Sequence, residues 1–248
     1  MAEPTHRLYW ADDALLEAEG VVVAVANGEA AFDRTCFYPG GGGQPPDRGW
    51  VTFTDGMARD VLSARTDAEG VIWHQLSEAE GELAAPPVAG QAVRLRVDAA
   101  RRTVLARYHT ALHVVNTVAL RDYAGWITGV QIGEDYSRID FRLEQLSAEL
   151  CRDLEAKVNA VLEGNRKLES RFLPESDFRA RPELLRTLEA QPPVIGGQVR
   201  VVEIEGFDEQ ACGGTHVATT AEVGRLAIYK TENKGKNNKR LYLRLSPV

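Results

Sequence analysis

Ala99-Ala-Arg-Arg-Thr-Val-Leu-Ala-Arg-Tyr-His109-Thr-Ala-Leu-His113-Val-Val-Asn-Thr-Val-Ala-Leu-Arg121 is the stretch on which the chain changes character. Val104, Leu105, Tyr108, Leu112, Val115 and Val118 recur at the spacing of an α-helix, which predicts a helix over about 99–121 with His109, His113 and Asn116 just off the edge of its apolar face. Upstream, short β-branched runs (Val21 to Val25, Trp50 to Phe53, Val71 to His74, Val93 to Val97) alternate with Gly, Pro and Asp turns, the pattern of a small β-barrel. Downstream, a second helix is expected from about 147 to 171, with Ser147 as N-cap and Leu150, Leu154, Val158, Val161 and Leu168 on one face. Strands return at Val199 to Ile204, Leu226 to Tyr229 and Leu241 to Leu245. The fold class is therefore read as α+β. An N-terminal β-barrel domain, 1–98, precedes a domain, 99–248, whose helices pack on an antiparallel sheet.

Two five-residue boxes hold the chemistry. His109-Thr-Ala-Leu-His113 and Cys212-Gly-Gly-Thr-His216 use three of the five histidines and one of the three cysteines. Residues four apart on a helix are separated by only ~40° around its axis, so His109 and His113 can address one ion. The second box is no helix interior, because each glycine there costs roughly 1 kcal/mol; it suits a tight loop that lets backbone N–H groups come close to a bound group. Imidazole and thiolate are the donors that zinc prefers, and His109, His113, Cys212 and His216 would make a tetrahedral set. Metalloprotease chemistry is disfavoured, since Thr110 stands where the zincin helix needs its Glu. A closed, purely structural zinc site is the competing reading, because four protein ligands leave no open position.

At 248 residues, 44% hydrophobic and 26% charged, the composition is that of an ordinary globular protein. No apolar run reaches the ~20 residues of a membrane span, and Met1-Ala-Glu-Pro-Thr-His lacks the regions of a secretory signal. With Cys36, Cys151 and Cys212 odd in number and scattered, a cytoplasmic protein without a membrane partner is expected. Net charge is −7, yet Arg225, Lys230, Lys234, Lys236, Lys239, Arg240 and Arg244 face a single acid, Glu232. The loop Asn233-Lys-Gly-Lys-Asn-Asn-Lys-Arg240 is read either as a phosphate contact through Asn233, Lys234, Lys236, Lys239 and Arg240 or as a solvated hairpin turn. Phe37-Tyr-Pro-Gly-Gly-Gly-Gly-Gln44-Pro-Pro-Asp47-Arg-Gly49 is a phosphate cradle, a lid or an elaborate turn. It lacks the Lys-Ser/Thr ending of a P-loop, so no ATP use is expected.

Taken together, Pro-x-Gly-Gly-Gly-Gln with a following Asp-x-Gly, His-x-x-x-His, Thr128-Gly-Val-Gln131-Ile-Gly133 leading to Arg138-Ile-Asp-Phe141, and Cys-Gly-Gly-Thr-His-Val resemble, in order, the editing region of alanyl-tRNA synthetase. As a free-standing chain the sequence is similar to AlaX proteins of the longer type, which carry an N-terminal barrel. Gly40 departs from the family, which often has Glu there. The resemblance implies hydrolysis of mischarged tRNA(Ala) in trans, chiefly the seryl ester, with the glycyl ester as second candidate. It implies zinc on the two boxes, Gln131 and Thr128 contacting the seryl hydroxyl, and Gly42, Gly43 and Gln44 reaching the same pocket. Gly213 and Gly214 would offer N–H groups to the oxyanion, the basic loop would hold the acceptor end, and Asp140 is read as structural. With no Asp or Glu in either box, the tRNA's terminal hydroxyl is the candidate to move the proton. The alternative reading is a tRNA-binding module with a structural zinc.

Overall fold

A computed structural model describes residues 3–54, 56–78, 86–187 and 191–246. The backbone divides into two compact units: residues 1–41 with 45–103, and residues 42–44 with 104–248. The first is built on a closed six-stranded barrel. Its strands are β1 (Glu17–Ala26), β2 (Glu29–Phe32), β3 (Gly49–Phe53), β4 (Ala58–Thr66), β5 (Ile72–Leu76) and β6 (Ala92–Val97), closed in the order β1-β2-β5-β4-β3-β6. Alternation explains the closure: Val51, Phe53, Val93, Leu95 and Val97 point inward to meet Val22, Phe32, Phe37, Val61 and Leu76. Asn27 and Gly28 both take positive φ, 52° and 78°, as the tight turn from β1 to β2 requires.

The glycine-rich stretch is a loop with a pinned base. Asp47 N–H donates to the Tyr38 carbonyl at 2.9 Å, and Asp47 Oδ2 accepts the Tyr38 N–H at 2.6 Å. The same buried carboxylate holds Arg102, whose Nε lies 3.1 Å from both oxygens and whose Nη2 reaches the Cys36 carbonyl at 2.6 Å. Between these anchors Gly40, Gly41, Gly42 and Gly43 all adopt φ between 56° and 130°, a run that side-chain-bearing residues would hold only under strain.

His74 lies among the aromatic rings of the barrel core, its ring 4.7 Å from that of Phe32 and 5.5 Å from that of Phe37. Nδ1 donates to the Ala30 carbonyl at 3.2 Å, leaving Nε2 to the Thr35 hydroxyl at 2.9 Å. Burial pushes this imidazole down from 6.5 to about 4.

The second unit centres on α1 (Ala99–Tyr123), within which the division between the units falls. Every residue from Leu105 through Ala119 is buried, so the two histidines expected at the rim of an apolar face are interior instead. One side of α1 packs on an antiparallel sheet and the other carries a polar stripe that meets a second sheet. The first sheet has the order β12-β13-β8-β7, from β7 (Trp126–Gln131), β8 (Ser137–Arg142), β12 (Leu226–Asn233) and β13 (Asn238–Leu245). Ile127, Ile139, Phe141, Leu241 and Leu243 on its inner face join Leu112, Val115 and Val118 of α1. Leu154, Val158 and Leu162 of α2 (Ala148–Glu163) complete this core. The second sheet pairs β9 (Leu168–Pro174), β10 (Gln198–Ile204) and β11 (Asp208–Ala211), with β10 in the middle. This is the α+β architecture that the sequence indicated.

The second helix is shorter than expected. It ends at Glu163, where the Gly164 N–H bonds the Val161 carbonyl and Asn165 turns left-handed at φ 47°. Leu168, placed by periodicity on the helix face, opens β9 instead, its N–H on the Ala218 carbonyl at 2.8 Å.

The His74 environment sets a pH window. The unfolded ring takes its proton near 6.5 and the folded ring only near 4, so the unfolded state binds more protons between those values. Stability is expected to be indifferent to this group above pH 6.5, to fall as pH drops, and to reach its full loss near 4. In thermal melts the wild type should lose Tm more steeply across that window than His74→Leu; parallel slopes would contradict the assignment.

Candidate metal centre

Side chains from α1 and from the loop after β11 meet at one point. His109, His113, Cys212 and His216 each offer a ligand atom, and these atoms all lie within 4.8 Å of one another. The i,i+4 spacing on α1 brings the rings of His109 and His113 to 5.0 Å, and the ring of His216 sits 4.4 Å and 4.5 Å from them. Cys212 Sγ is 3.4 Å from His109 Nε2 and 3.3 Å from His216 Nε2.

Each donor is aimed by a neighbour. Gln44 is buried; its Nε2 donates to Thr215 Oγ1 at 2.8 Å and its Oε1 accepts the Thr215 N–H at 3.2 Å. Since the Thr215 N–H can only donate, Oε1 is correctly placed as an acceptor, and His109 Nδ1, 2.8 Å away, must carry its proton. The lone pair of His109 is then on Nε2, facing the sulfur. Thr110 Oγ1, which accepts the Val217 N–H at 3.3 Å, lies 3.0 Å from His216 Nδ1 and orients that ring. Arg200, 2% exposed on β10, donates from Nη1 to the Gly214 carbonyl at 2.8 Å and to the Cys212 carbonyl at 3.3 Å. The Cys212 N–H in turn bonds the Arg200 carbonyl at 3.0 Å, so the loop is clamped from both sides.

Glycine is needed at two places for closeness. A Cβ on Gly214 would stand 2.3 Å from His109 Cε1 and 2.7 Å from Gln44 Oε1. A Cβ on Gly43 would stand 2.8 Å from the Val130 carbonyl oxygen, and the Gly43 carbonyl itself accepts the Ile132 N–H at 2.8 Å.

The electrostatics keep the rings neutral. Burial drives His109 and His216 well below the ordinary histidine value and His113 to about 3, and neighbouring positive charge, Arg200 among it, pushes the same way. Without an ion the arrangement is poorly satisfied, because one thiol proton cannot serve both nitrogens that face Cys212 Sγ. His113 Nδ1 is likewise buried without a hydrogen-bond partner among the described residues. Neutral imidazoles and a sulfur with converging lone pairs suit a shared soft cation, and the donor set is that of zinc.

Beyond His113 the polar stripe continues. Asp208 and Gln210 alternate along β11 and so share a face, with Gln210 two residues ahead of Cys212. Asn116 Nδ2 donates to Gln210 Oε1 at 3.1 Å, Gln210 Nε2 to Asp208 Oδ2 at 2.6 Å, and Asp208 pairs with Arg186. Asn116 Oδ1 and Thr117 Oγ1 are buried with no partner among the described residues.

The other residues singled out in the sequence lie elsewhere. Thr128 and Gln131 are exposed on the first sheet, where Thr128 Oγ1 donates to Asn238 Oδ1 at 3.0 Å and Gln131 Oε1 accepts from Arg138 Nε at 2.7 Å. Among the described residues neither hydrogen-bonds to any of the four donors. Gly214 does lie at the centre, where its N–H donates to Cys212 Sγ at 3.4 Å. In the basic loop Lys239 is buried and bonds Asn233 Oδ1 at 2.9 Å and the carbonyls of Gly235 and Lys236 at 3.0 Å. Arg240 is bidentate on Asp140 at 2.7 Å, which makes Asp140 structural, and Lys234 pairs with Glu232 at 3.0 Å. Most of the loop's cations therefore hold the hairpin together. Sequence reasoning passed over Arg200 and Gln210; the two available signals were a charge inside the apolar run Val199-Arg-Val-Val202 and an amide two residues ahead of the cysteine.

A family model described as the threonyl and alanyl tRNA synthetase second additional domain matches residues 199–242. The chain is 36% identical to an alanyl-tRNA editing protein AlaX-M of Methanosarcina acetivorans, over 97% of this chain and 99% of that protein. It is 33% identical to a protein of the same description from Saccharolobus solfataricus, over 98% and 100%. Against an alanine–tRNA ligase of Korarchaeum cryptofilum the identity is 40%, covering 92% of this chain but 25% of the ligase.

Removal of the Gln44 amide should weaken metal binding about 10- to 100-fold, the usual cost of losing a group that orients a ligand. Gly214→Ala, which drives a methyl group into His109, should do at least as much. Competition titration with a chromophoric chelator reads both, and wild-type affinity in either variant would contradict the geometry.

Proposed function

This chain belongs to the AlaX-M family of alanyl-tRNA editing proteins, and we propose that it is a zinc-dependent hydrolase that strips the wrong amino acid from tRNA(Ala), chiefly serine and secondarily glycine. The observation that carries this reading is the convergence of His109, His113, Cys212 and His216 in a chain aligned with AlaX-M relatives from end to end. The need for such an activity is physical. A synthetase pocket shaped for alanine cannot strongly reject an analogue that only adds a hydroxyl, so a second site must do so. That site can select in the opposite sense, because a polar group left unpaired by alanine is costly.

A zinc ion on these four residues would polarise the ester carbonyl or a water. The chain's own groups do the rest. Gln44 and Thr110 hold the imidazoles of His109 and His216 in orientation, and Arg200 fixes the carbonyls of the Cys212–Gly214 turn. We assign the Gly213 N–H to the developing oxyanion. Asn116 Oδ1 and Thr117 Oγ1, buried and without a partner among the described residues one helical turn beyond His113, are the groups assigned to the seryl hydroxyl. Among the described residues no carboxylate belongs to the cluster, so the proton is assigned to the adjacent hydroxyl of the tRNA's terminal ribose. Ester hydrolysis asks for no ATP. A second reading, a tRNA-binding module with a structural zinc, is favoured by the fact that all four ligand positions belong to the protein.

Metal analysis alongside deacylation of seryl-, glycyl- and alanyl-tRNA(Ala) separates the two. Cys212→Ala should lose metal and deacylation together. Thr117→Val should keep its metal and its glycyl activity while losing about tenfold or more on the seryl ester, the scale of one lost hydrogen bond to a substrate hydroxyl. Wild-type protein that holds zinc but never turns over mischarged tRNA would establish the structural alternative.

A further inference from the structure

The face of the first sheet turned away from α1 carries aromatic and basic groups that the metal centre does not use. Arg138 is paired with Tyr242 and Tyr242 with Lys230, so a row of cation, ring and cation crosses three strands. Tyr229, in the bulge between Ile228 and Lys230, and Tyr136, just ahead of β8, add two more rings. The three rings form a triangle with centroids 6.0, 6.1 and 6.4 Å apart. The Arg244 guanidinium stands 4.2 Å over Tyr229, and Lys230 Nζ stands 4.7 Å over Tyr242 while pairing with Glu232. Tyr136 and Tyr229 are 42% and 41% exposed. Along these strands Arg138, Lys230, Arg240 and Arg244 outnumber Asp140 and Glu232, a local positive excess on a chain of net charge −7.

An unpaired nucleotide needs a π-face for its base and a cation for its phosphate, and this face supplies both. A duplex does not fit it as well, because paired bases are already stacked and present no free faces. The face is also linked to the metal centre through Tyr108, the residue before His109. Its hydroxyl donates to the carbonyl of Asp135, next to Tyr136, at 3.0 Å and accepts the N–H of Leu245, next to Arg244, at 3.3 Å.

We propose that this tyrosine–arginine face binds single-stranded RNA, namely the unpaired 3′ end of the substrate tRNA, with bases stacked on Tyr136, Tyr229 and Tyr242 and phosphates met by Arg244 and Lys230. The identity of the RNA rests on the editing function proposed above; the preference for an unpaired strand does not. This assigns the grip on the nucleic acid to the sheet face and leaves the Asn233–Arg240 hairpin, whose Lys239 and Arg240 are engaged internally, as a structural edge.

The test uses the full chain, a fluorescently labelled single-stranded oligoribonucleotide and a duplex of the same length. Tyr136→Ala/Tyr229→Ala should weaken single-strand binding about tenfold or more, whereas Tyr136→Phe/Tyr229→Phe, which keeps the rings, should bind as wild type does. The wild type should prefer the single strand to the duplex. In deacylation assays the alanine variant should raise KM for mischarged tRNA with kcat and bound metal unchanged. Equal single-strand affinity in the alanine variant and the wild type would overturn the platform even if editing proceeds normally. Ring-dependent binding by a protein that never deacylates tRNA would uphold the platform and count against the editing function alone.

Discussion

Three imidazoles and a sulfur brought together in a dry interior cannot be left with their lone pairs facing one another, and the second unit is organised around that demand. Burial holds His109, His113 and His216 neutral, because a protonated ring would lose its hydration among other rings and beside Arg200. Neutral rings cannot repel one another as charges do, yet they crowd one sulfur that has at most one proton to share. A cation common to all four donors would resolve the conflict. The frame around it is specified with matching care: Gln44 fixes the proton of His109, Thr110 orients His216, and Arg200 clamps the carbonyls of the turn. Gly214 is glycine because His109 and Gln44 occupy the space that a Cβ would take.

The proposed chemistry and the proposed grip on RNA draw on opposite kinds of surface. Around the metal centre the useful groups are buried and few, so a missing hydrogen bond is costly and discrimination between serine and alanine becomes possible. On the outer sheet face the rings are half exposed and every base has a π-face, so stacking holds a strand without reading it. Between the two surfaces stands the Tyr108 hydroxyl, which ties the helix that bears His109 to the backbone next to Tyr136 and Arg244.

Much of this was legible in the sequence, for reasons that the structure makes plain. The i,i+4 histidines and the Cys212-Gly-Gly-Thr-His216 turn are local patterns, and their meeting follows from donor chemistry alone. The barrel was readable because alternation in runs such as Val93 to Val97 has only one face to bury. The end of α2 was not, because Leu168 continues a helical apolar spacing that the left-handed Asn165 interrupts. Arg200 was hidden for a different reason: one charge in a β-branched run gives no hint that its guanidinium reaches loop carbonyls twelve and fourteen residues on. In the basic hairpin composition counts charges but not partners, and it gave no sign that the Lys239 ammonium bonds the turn it sits in. Thr128 and Gln131 came from family resemblance, and the structure sets them on the outer sheet beside Asn238 and Arg138.

X-ray absorption at the zinc edge, on the purified protein with its metal stoichiometry determined, reads the central claim most directly. One ion per chain with three nitrogen neighbours at about 2.0–2.1 Å and one sulfur at about 2.3 Å is the expected shell. A chain that binds no metal, or a coordination shell without sulfur, would contradict it.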